Sequence, residues 1–325
     1  MIRYDYLKPA SIEEAIRLLQ THGNMAMLIA GGTDVIVGIR QKKLTPHVLI
    51  SLNGVPGLDS IEPDGNHMRI GALTTHRKIA ESALIRDAFS ALHDAASHVG
   101  SLQIRNVATI GGNVSNALPS ADTACPLLVF NAQARIAGPK GERTMPLDQF
   151  FIGPGKTALQ QDEILLELVV PSLPPNSGSC YKKVGRREAM EIAMLGLAIM
   201  LNVDIKDATP LKGALQSHAP LEKLYGALDQ SEIYCREARV ALGVAAPTPM
   251  RARSAEAVLN DTRLTIERLT EAGEKASREA RPRDTMRGAA WFRTEMIRVL
   301  PKRLAITCLD RILFSGDSTQ EDRGA

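Results

Sequence analysis

The sequence predicts an α+β fold, with strands leading and helices concentrated late. Short β-prone runs such as "AMLIAGG", "HVLISL" and "MRIGAL" recur between turn-rich segments in the first half. Helical patterns gather near the end, in "SAEAVLND", "RLTIERLTEAGEKASREA" and "AWFRTEMIRVL". A Pro/Ser/Gly connector, Pro171 to Ser179, separates the two regions and marks the main domain boundary.

Each element has a local reason. Ser11 and Glu14 form a capping box for "SIEEAIRLLQTHG", where Ile12, Ala15, Ile16 and Leu19 share a face and Gly23 ends the helix. "AMLIAGGTDV" is an apolar strand running into a glycine pair. "HVLISL" and "MRIGAL" are further strands, split by the turn-rich "NGVPGLDSIEPDGN". "HRKIAESALIRDAFSALHDAASHV" has helical spacing and leads to "RNVATIGGNVSNALPSAD". Next come "TACPLLVFNAQARIAG" and "DEILLELVVPSL", both read as strands around the turn "GPKGERTM". After the connector, "CYKKVG" and "REARVALGV" are strands. Residues 205–232 fit neither pattern, and Pro301 is expected to kink or end the last helix.

Composition excludes several classes. With 325 residues, 44% hydrophobic and 23% charged, the chain is an ordinary globular protein of two or three domains. A net charge of +3 is too small to argue for nucleic acid or an anionic membrane surface, and neither is expected as a partner. No apolar run reaches the roughly 20 residues of a membrane span. The start "MIRYDYLKPAS" has no export signal, so a cytoplasmic location is expected. Cys125, Cys180, Cys235 and Cys308 are each isolated in sequence and read as small buried hydrophobes, not as metal ligands or disulfides. The histidines show no metal-binding spacing, and no metal site is expected.

Among motifs, "GPGKTAL" lacks the leading glycine of a P-loop, because Phe150 stands there, and reads as a turn. No G-x-G-x-x-G follows a strand, and no G-x-S-x-G is present. Two glycine pairs remain, Gly31–Gly32 followed by Thr33 and Asp34, and Gly111–Gly112 followed by Asn113. Either they are two structural turns, or they grip a pyrophosphate from both sides through backbone N–H groups and short polar side chains.

The order of "LIAGGTDV", "QIRNVATIGGNVSNALPSAD", "FFIGPGKTAL", "DEILLELVVP", "YKKVGRREAMEIA", "ARVALGVAAPTPMRA" and "RPRDTMRGAAWFRTEM" resembles the FAD-binding medium subunit of the molybdenum hydroxylases, the xanthine dehydrogenase and carbon monoxide dehydrogenase family. The resemblance spans nearly the whole chain. It implies a two-subdomain FAD-binding fold, 1–55 and 56–175, followed by a C-terminal α+β domain at 176–325. Leu28, Ile29, Ala30, Gly31, Gly32, Thr33, Asp34 and Val35 would form the first phosphate loop. Thr109, Ile110, Gly111, Gly112 and Asn113 would form the second, with Asn116 as a further contact. Asp122 would hold the nucleotide part of FAD, Leu165 and Lys182 would lie near the flavin ring, and Gly100 and Ser101 would bring backbone to the cofactor.

The sequence departs from the family pattern at Val99, where some relatives carry an aromatic, and at Leu102, where many carry proline. It also departs in the length of 205–232, and in a lone Cys125 where some relatives insert a cysteine cluster. By the resemblance, the chain is an electron-transfer subunit working with a large molybdenum-cofactor subunit, a small iron–sulfur subunit and NAD or another carrier, with no catalytic side chain of its own. Two other readings stand beside it, a stand-alone FAD oxidoreductase and a non-redox nucleotide-binding scaffold.

Overall fold

The computed structural model describes residues 4–315. Residues 1–3, part of the stretch read for an export signal, and 316–325, at the end of the expected C-terminal domain, lie outside the described residues.

Three sheets organise the chain. The first is parallel, in the order Asp5–Leu7, Val48–Ser51, Ala26–Ile29, with the helix Ile12–His22 as the crossover. Ser11 caps that helix by accepting the Glu14 N–H at 3.2 Å, and Glu14 reaches back to the Ala10 N–H at 2.7 Å. Gly23 ends it in a left-handed conformation, φ 52°. Ala15, Ile16 and Leu19 pack with Val48 and Ile50 in the first core.

The second sheet is antiparallel, in the order Ile61–Asp64, His67–Gly71, Ile164–Pro171, Gln133–Gly138, Gly141–Pro146. Its central carboxylate, Glu167, is held by Arg69 at 2.9 Å and Arg135 at 2.8 Å. One face is covered by a run of short helices between Thr75 and Phe130. The stretch "HRKIAESALIRDAFSALHDAASHV", read as one helical region, divides into His76–Glu81, Ala83–Ala88 and Ser90–Ser97. Ser82 causes the first break, ending one helix and capping the next through the Ile85 N–H. "TACPLLVF" is the helix Ala124–Val129, not a strand. A uniformly apolar run carries no period to separate the two, and Pro126 sits in the first helical turn, where no N–H partner is needed. "GPGK" is the turn between Phe151–Gly153 and Lys156–Thr157, with Gly155 at φ 68°.

The third sheet orders Ser177–Val184, Leu195–Asp207, Glu232–Gly243 and Met250–Arg251, and Thr262–Arg263 pairs with Glu232–Gly243. Leu195–Asp207, its longest strand, does not stand out in the sequence because both its faces are buried. Ala198 and Met200 enter the core of the second unit, while Leu197, Ile199 and Leu201 pack with the late helices. Residues 205–232 resolve into the end of that strand and two helices, Thr209–Gln216 and Leu221–Gln230, which bury Leu211, Leu224 and Leu228. The last helix, Ala290–Leu313, runs through Pro301 instead of stopping there. Burial of Ile297, Leu300, Leu304 and Leu309 against the sheet outweighs the roughly 3 kcal/mol cost of an interior proline. All four cysteines are free and buried, and Cys180 and Cys308 bring their sulfurs within 3.5 Å.

Candidate functional site

The two glycine turns meet. Leu28 and Ile29 end the parallel strand, Ala30 to Asp34 form the turn, and Val35 opens the helix Val35–Arg40. The backbone of this turn lies directly on the Val107–Ala108 backbone, so a Cβ on Gly31 would stand 1.9 Å from the Val107 carbonyl oxygen. Gly32 next to it has φ 72°, the left-handed region that favours glycine. Asn53 donates to the Ala30 carbonyl at 3.3 Å and steadies the turn from behind.

The second turn is the start of a short helix, Ile110–Ser115. Thr109 caps it, its hydroxyl accepting the Gly112 N–H at 3.1 Å. Here too the paired glycines divide the work. A Cβ on Gly111 would lie 2.5 Å from the Ala72 carbonyl oxygen, whereas one on Gly112 would meet only the Thr109 hydroxyl, at 3.0 Å. In each pair the first glycine permits close backbone packing. The second supplies a left-handed bend at Gly32 and an open, exposed surface at Gly112.

The turns differ in free donors. Among the described residues, the N–H groups of Gly32, Thr33 and Asp34 have no hydrogen-bond partner. In the second turn Ile110 donates to Thr74 and Gly111 to Ala72, both at 2.9 Å, and Asn113 donates to Thr109 at 3.0 Å. The first turn therefore presents three consecutive unpaired backbone donors, whereas in the second the N–H groups of Ile110, Gly111, Gly112 and Asn113 are all engaged. The second offers the Asn113 amide instead. Its oxygen accepts the Thr123 hydroxyl at 2.7 Å, which leaves the NH2 to donate elsewhere. Asn116 faces the Asp34 carboxylate and joins the two turns. Desolvation pushes that carboxyl above its usual range, and the Asn116 contact partly offsets the shift.

Deeper in, Asp122 is 7% exposed and has both oxygens engaged. Tyr181 donates its hydroxyl at 2.7 Å and Lys183 its ammonium at 2.8 Å, and Lys183 also reaches the His98 carbonyl at 3.1 Å. Burial pushes the Asp122 carboxyl up, against the pull of Lys183 and Tyr181. It raises the Tyr181 phenol well above its ordinary range. Lys182 sits between these two partners on the strand and is exposed, because alternate side chains take opposite faces. The lysine that turns inward is Lys183, and counting strand parity from Tyr181 identifies it.

Gly100, at φ 52°, and Ser101 form the neighbouring edge. Ser101 caps Leu102–Arg105, and the Gly100 carbonyl accepts the Met190 N–H at 3.1 Å. Leu165 is buried in the core of the second unit beside a bulge in its strand, and Val99 is buried as well. His76, absent from the sequence reading, follows Thr75, which bridges Thr109. It is fully buried with neither ring nitrogen bonded, and burial, helped by Arg105, lowers it to about 4. A neutral imidazole thus lies behind the second turn.

These features fit FAD. Unpaired N–H groups at a left-handed glycine and an exposed Gly112 beside the Asn113 amide are the donors and clearance a pyrophosphate requires. Among the described residues, no group of three or more His, Cys, Asp or Glu could hold a metal ion.

Comparison with known proteins agrees with this geometry. Residues 2–173 match the FAD binding domain in molybdopterin dehydrogenase, and residues 226–307 match the CO dehydrogenase flavoprotein C-terminal domain. The chain is 32% identical to the xanthine dehydrogenase FAD-binding subunit of Escherichia coli O157:H7, over 92% of this chain and 94% of that one. It is 29% identical to the carbon monoxide dehydrogenase medium chain of Hydrogenophaga pseudoflava, covering 93% and 95%. The solved carbon monoxide dehydrogenase from that organism, which lacks the Mo-pyranopterin moiety, superposes with a TM-score of 0.84 at 28% identity, covering 95% of this chain and 98% of that one. Matches across both halves, together with two glycine turns in direct backbone contact, place the chain in the family of FAD-binding flavoprotein subunits of the molybdenum hydroxylase dehydrogenases.

Proposed function

We propose that this chain passes electrons between the iron–sulfur clusters of a small partner subunit and an external carrier such as NAD, within a complex whose large subunit holds a molybdenum cofactor. The meeting of the Gly31–Asp34 and Thr109–Asn113 turns, with free donors on the first, carries the reading. In it, residues 1–55 and 56–175 form the FAD-binding pair and 176–325 the C-terminal domain.

Bound FAD supplies one-electron exchange toward the clusters and hydride exchange toward NAD. The chain's own groups bind and orient. Gly32, Thr33 and Asp34 donate backbone N–H groups to phosphate oxygens, and Asn113 adds its amide. Asn116 faces the Asp34 carboxylate across the two turns. Tyr181 and Lys183 hold Asp122 in place, and Lys182, exposed on the other face of the strand, is the cation placed near the flavin ring. No side chain acts as general acid or base, and the complex works in the cytoplasm.

Isolating the native complex tests the reading. A flavin that bleaches with dithionite should co-elute with the chain, an iron–sulfur subunit and a molybdenum subunit. A colourless chain that refuses added FAD would leave only the nucleotide-binding scaffold. Flavin without either partner subunit would point to the stand-alone oxidoreductase.

A further inference from the structure

We propose that the corner built from the loop 186–192 and the segment 281–291 is the docking surface for the iron–sulfur subunit, and that it receives a face apolar at its centre and acidic at its rim. The proposal rests on the electron-transfer reading above.

Met286 and Trp291, at 101% and 70% exposure, are the most exposed large apolar residues among those described. Met190 and Ile192 are exposed on the loop that leads into Met194. Apolar groups gathered in this way mark contact surfaces more often than isolated exposed leucines do. Met194 joins the two segments. Gly288 packs against it, with room for a Cβ only 3.2 Å from the Met194 sulfur, and Arg293 Nε donates to the Met194 carbonyl at 2.7 Å.

Arg293 shows that this corner is rigidly built. Its side chain is 1% exposed and has no carboxylate within ion-pair distance among the described residues. It donates instead to the Arg283 carbonyl and, at 2.7 Å, to the Thr285 hydroxyl. Burying a guanidinium without a carboxylate is costly unless its donors are satisfied. Here they are satisfied by the turn that presents Met286, which Thr285 and Gly288 close by pairing with each other. A braced turn holding out a fully exposed methionine, next to an exposed tryptophan, is a preorganised anchor of the kind that dominates interfaces.

Charge selects the occupant. Arg281, Arg283 and Arg287 are exposed without an acidic partner among the described residues, and they outnumber Asp284, whose carboxylate accepts the Ala290 N–H at 2.6 Å and attracts the buried Arg293. An acidic rim complements them. A second copy of this chain, meeting the patch across a two-fold axis, would set arginines against arginines. Location agrees with the partner's task, since the Met190 N–H bonds the carbonyl of Gly100, a residue placed at the cofactor by the reading above.

The test uses the complex co-expressed with its neighbouring subunits. Met286→Glu combined with Trp291→Glu should weaken association with the iron–sulfur subunit roughly thirtyfold, the scale of losing an interface anchor. FAD content per chain should match wild type. Leu84→Glu, at an exposed leucine outside both segments, should leave association unchanged. Arg283→Glu with Arg287→Glu should slow association and flatten its dependence on salt. If the double variant keeps its flavin and binds the iron–sulfur subunit as tightly as wild type, the surface is wrong and the electron-transfer reading stands. If the wild-type chain holds flavin but no iron–sulfur protein, both fail. A change from dimer to monomer in the isolated double variant would make the surface a self-contact and overturn the proposal.

Discussion

Gly31→Ala separates a packing glycine from a merely flexible one. The added methyl would stand 1.9 Å from the Val107 carbonyl oxygen, 2.6 Å from its carbon and 3.0 Å from the Ala108 Cα. All three are backbone atoms, so no side chain can swing aside. Restoring an ordinary carbon–oxygen contact requires the two turns to separate by roughly 1.5 Å. Overpacking of this kind costs about 1–3 kcal/mol of stability. The separation also moves the Gly32–Asp34 donors away from Asn113, and each charge-assisted hydrogen bond lost weakens FAD binding about tenfold to hundredfold. The measurements are flavin retained per chain after gel filtration and the thermal midpoint, each beside Gly112→Ala. At Gly112 the methyl meets only the Thr109 hydroxyl at 3.0 Å, and alanine favours the helix. That variant should lose flavin with no loss of stability, because its methyl enters the cleft. Wild-type flavin content and midpoint in Gly31→Ala would refute the account of how the turns are spaced.

Two further predictions follow from buried charges. Lys183→Met should lower stability by about 3–5 kcal/mol by leaving Asp122 buried without its cation, while Lys182→Met should shift it by less than about 0.5 kcal/mol; chemical denaturation of both variants checks this, and equal effects would contradict the inward assignment of Lys183. Asp94 accepts two bonds from Arg311 at 2.8 and 2.9 Å and the Tyr181 N–H at 3.1 Å. Burial pushes its carboxyl up, but His93, Arg311 and Tyr181 outweigh that and hold it below the usual range. Its folded pKa being depressed, its contribution is complete above the unfolded value of about 3.9 and is lost as pH falls through the folded one. Asp94→Asn should therefore destabilise the protein at neutral pH and make its loss of stability below about pH 4 shallower, as thermal melts across pH would show; an unchanged acid slope would count against the Asp94–Arg311 link.

Local chemistry was legible wherever one face or one cap decided the outcome. The helix at Ile12–His22 followed from Ser11, Glu14 and an apolar stripe, and the strands at Ala26–Ile29 and Val48–Ser51 from short β-prone runs bounded by turns. The glycine pairs with their polar followers were visible as candidate anion turns, and the α+β class with them. By contrast, Leu195–Asp207 was hidden because its two faces belong to two different cores, which erases the alternation that marks a half-buried strand. The helix at Ala124–Val129 was hidden because a run apolar on every side carries no period, and the helix through Pro301 because packing overrode a local rule.

Within the site, the residue types were readable and their division of labour was not. Sequence alone placed glycine at 31, 32, 111 and 112. Only the approach of Val107 to Gly31 and of Ala72 to Gly111 decided which glycine packs and which faces the cleft. Sequence placed two lysines side by side, and only the strand's pairing sent Lys183 to Asp122 and Lys182 to solvent. Contacts between residues distant in the chain have no local signal, so the tertiary structure determined them.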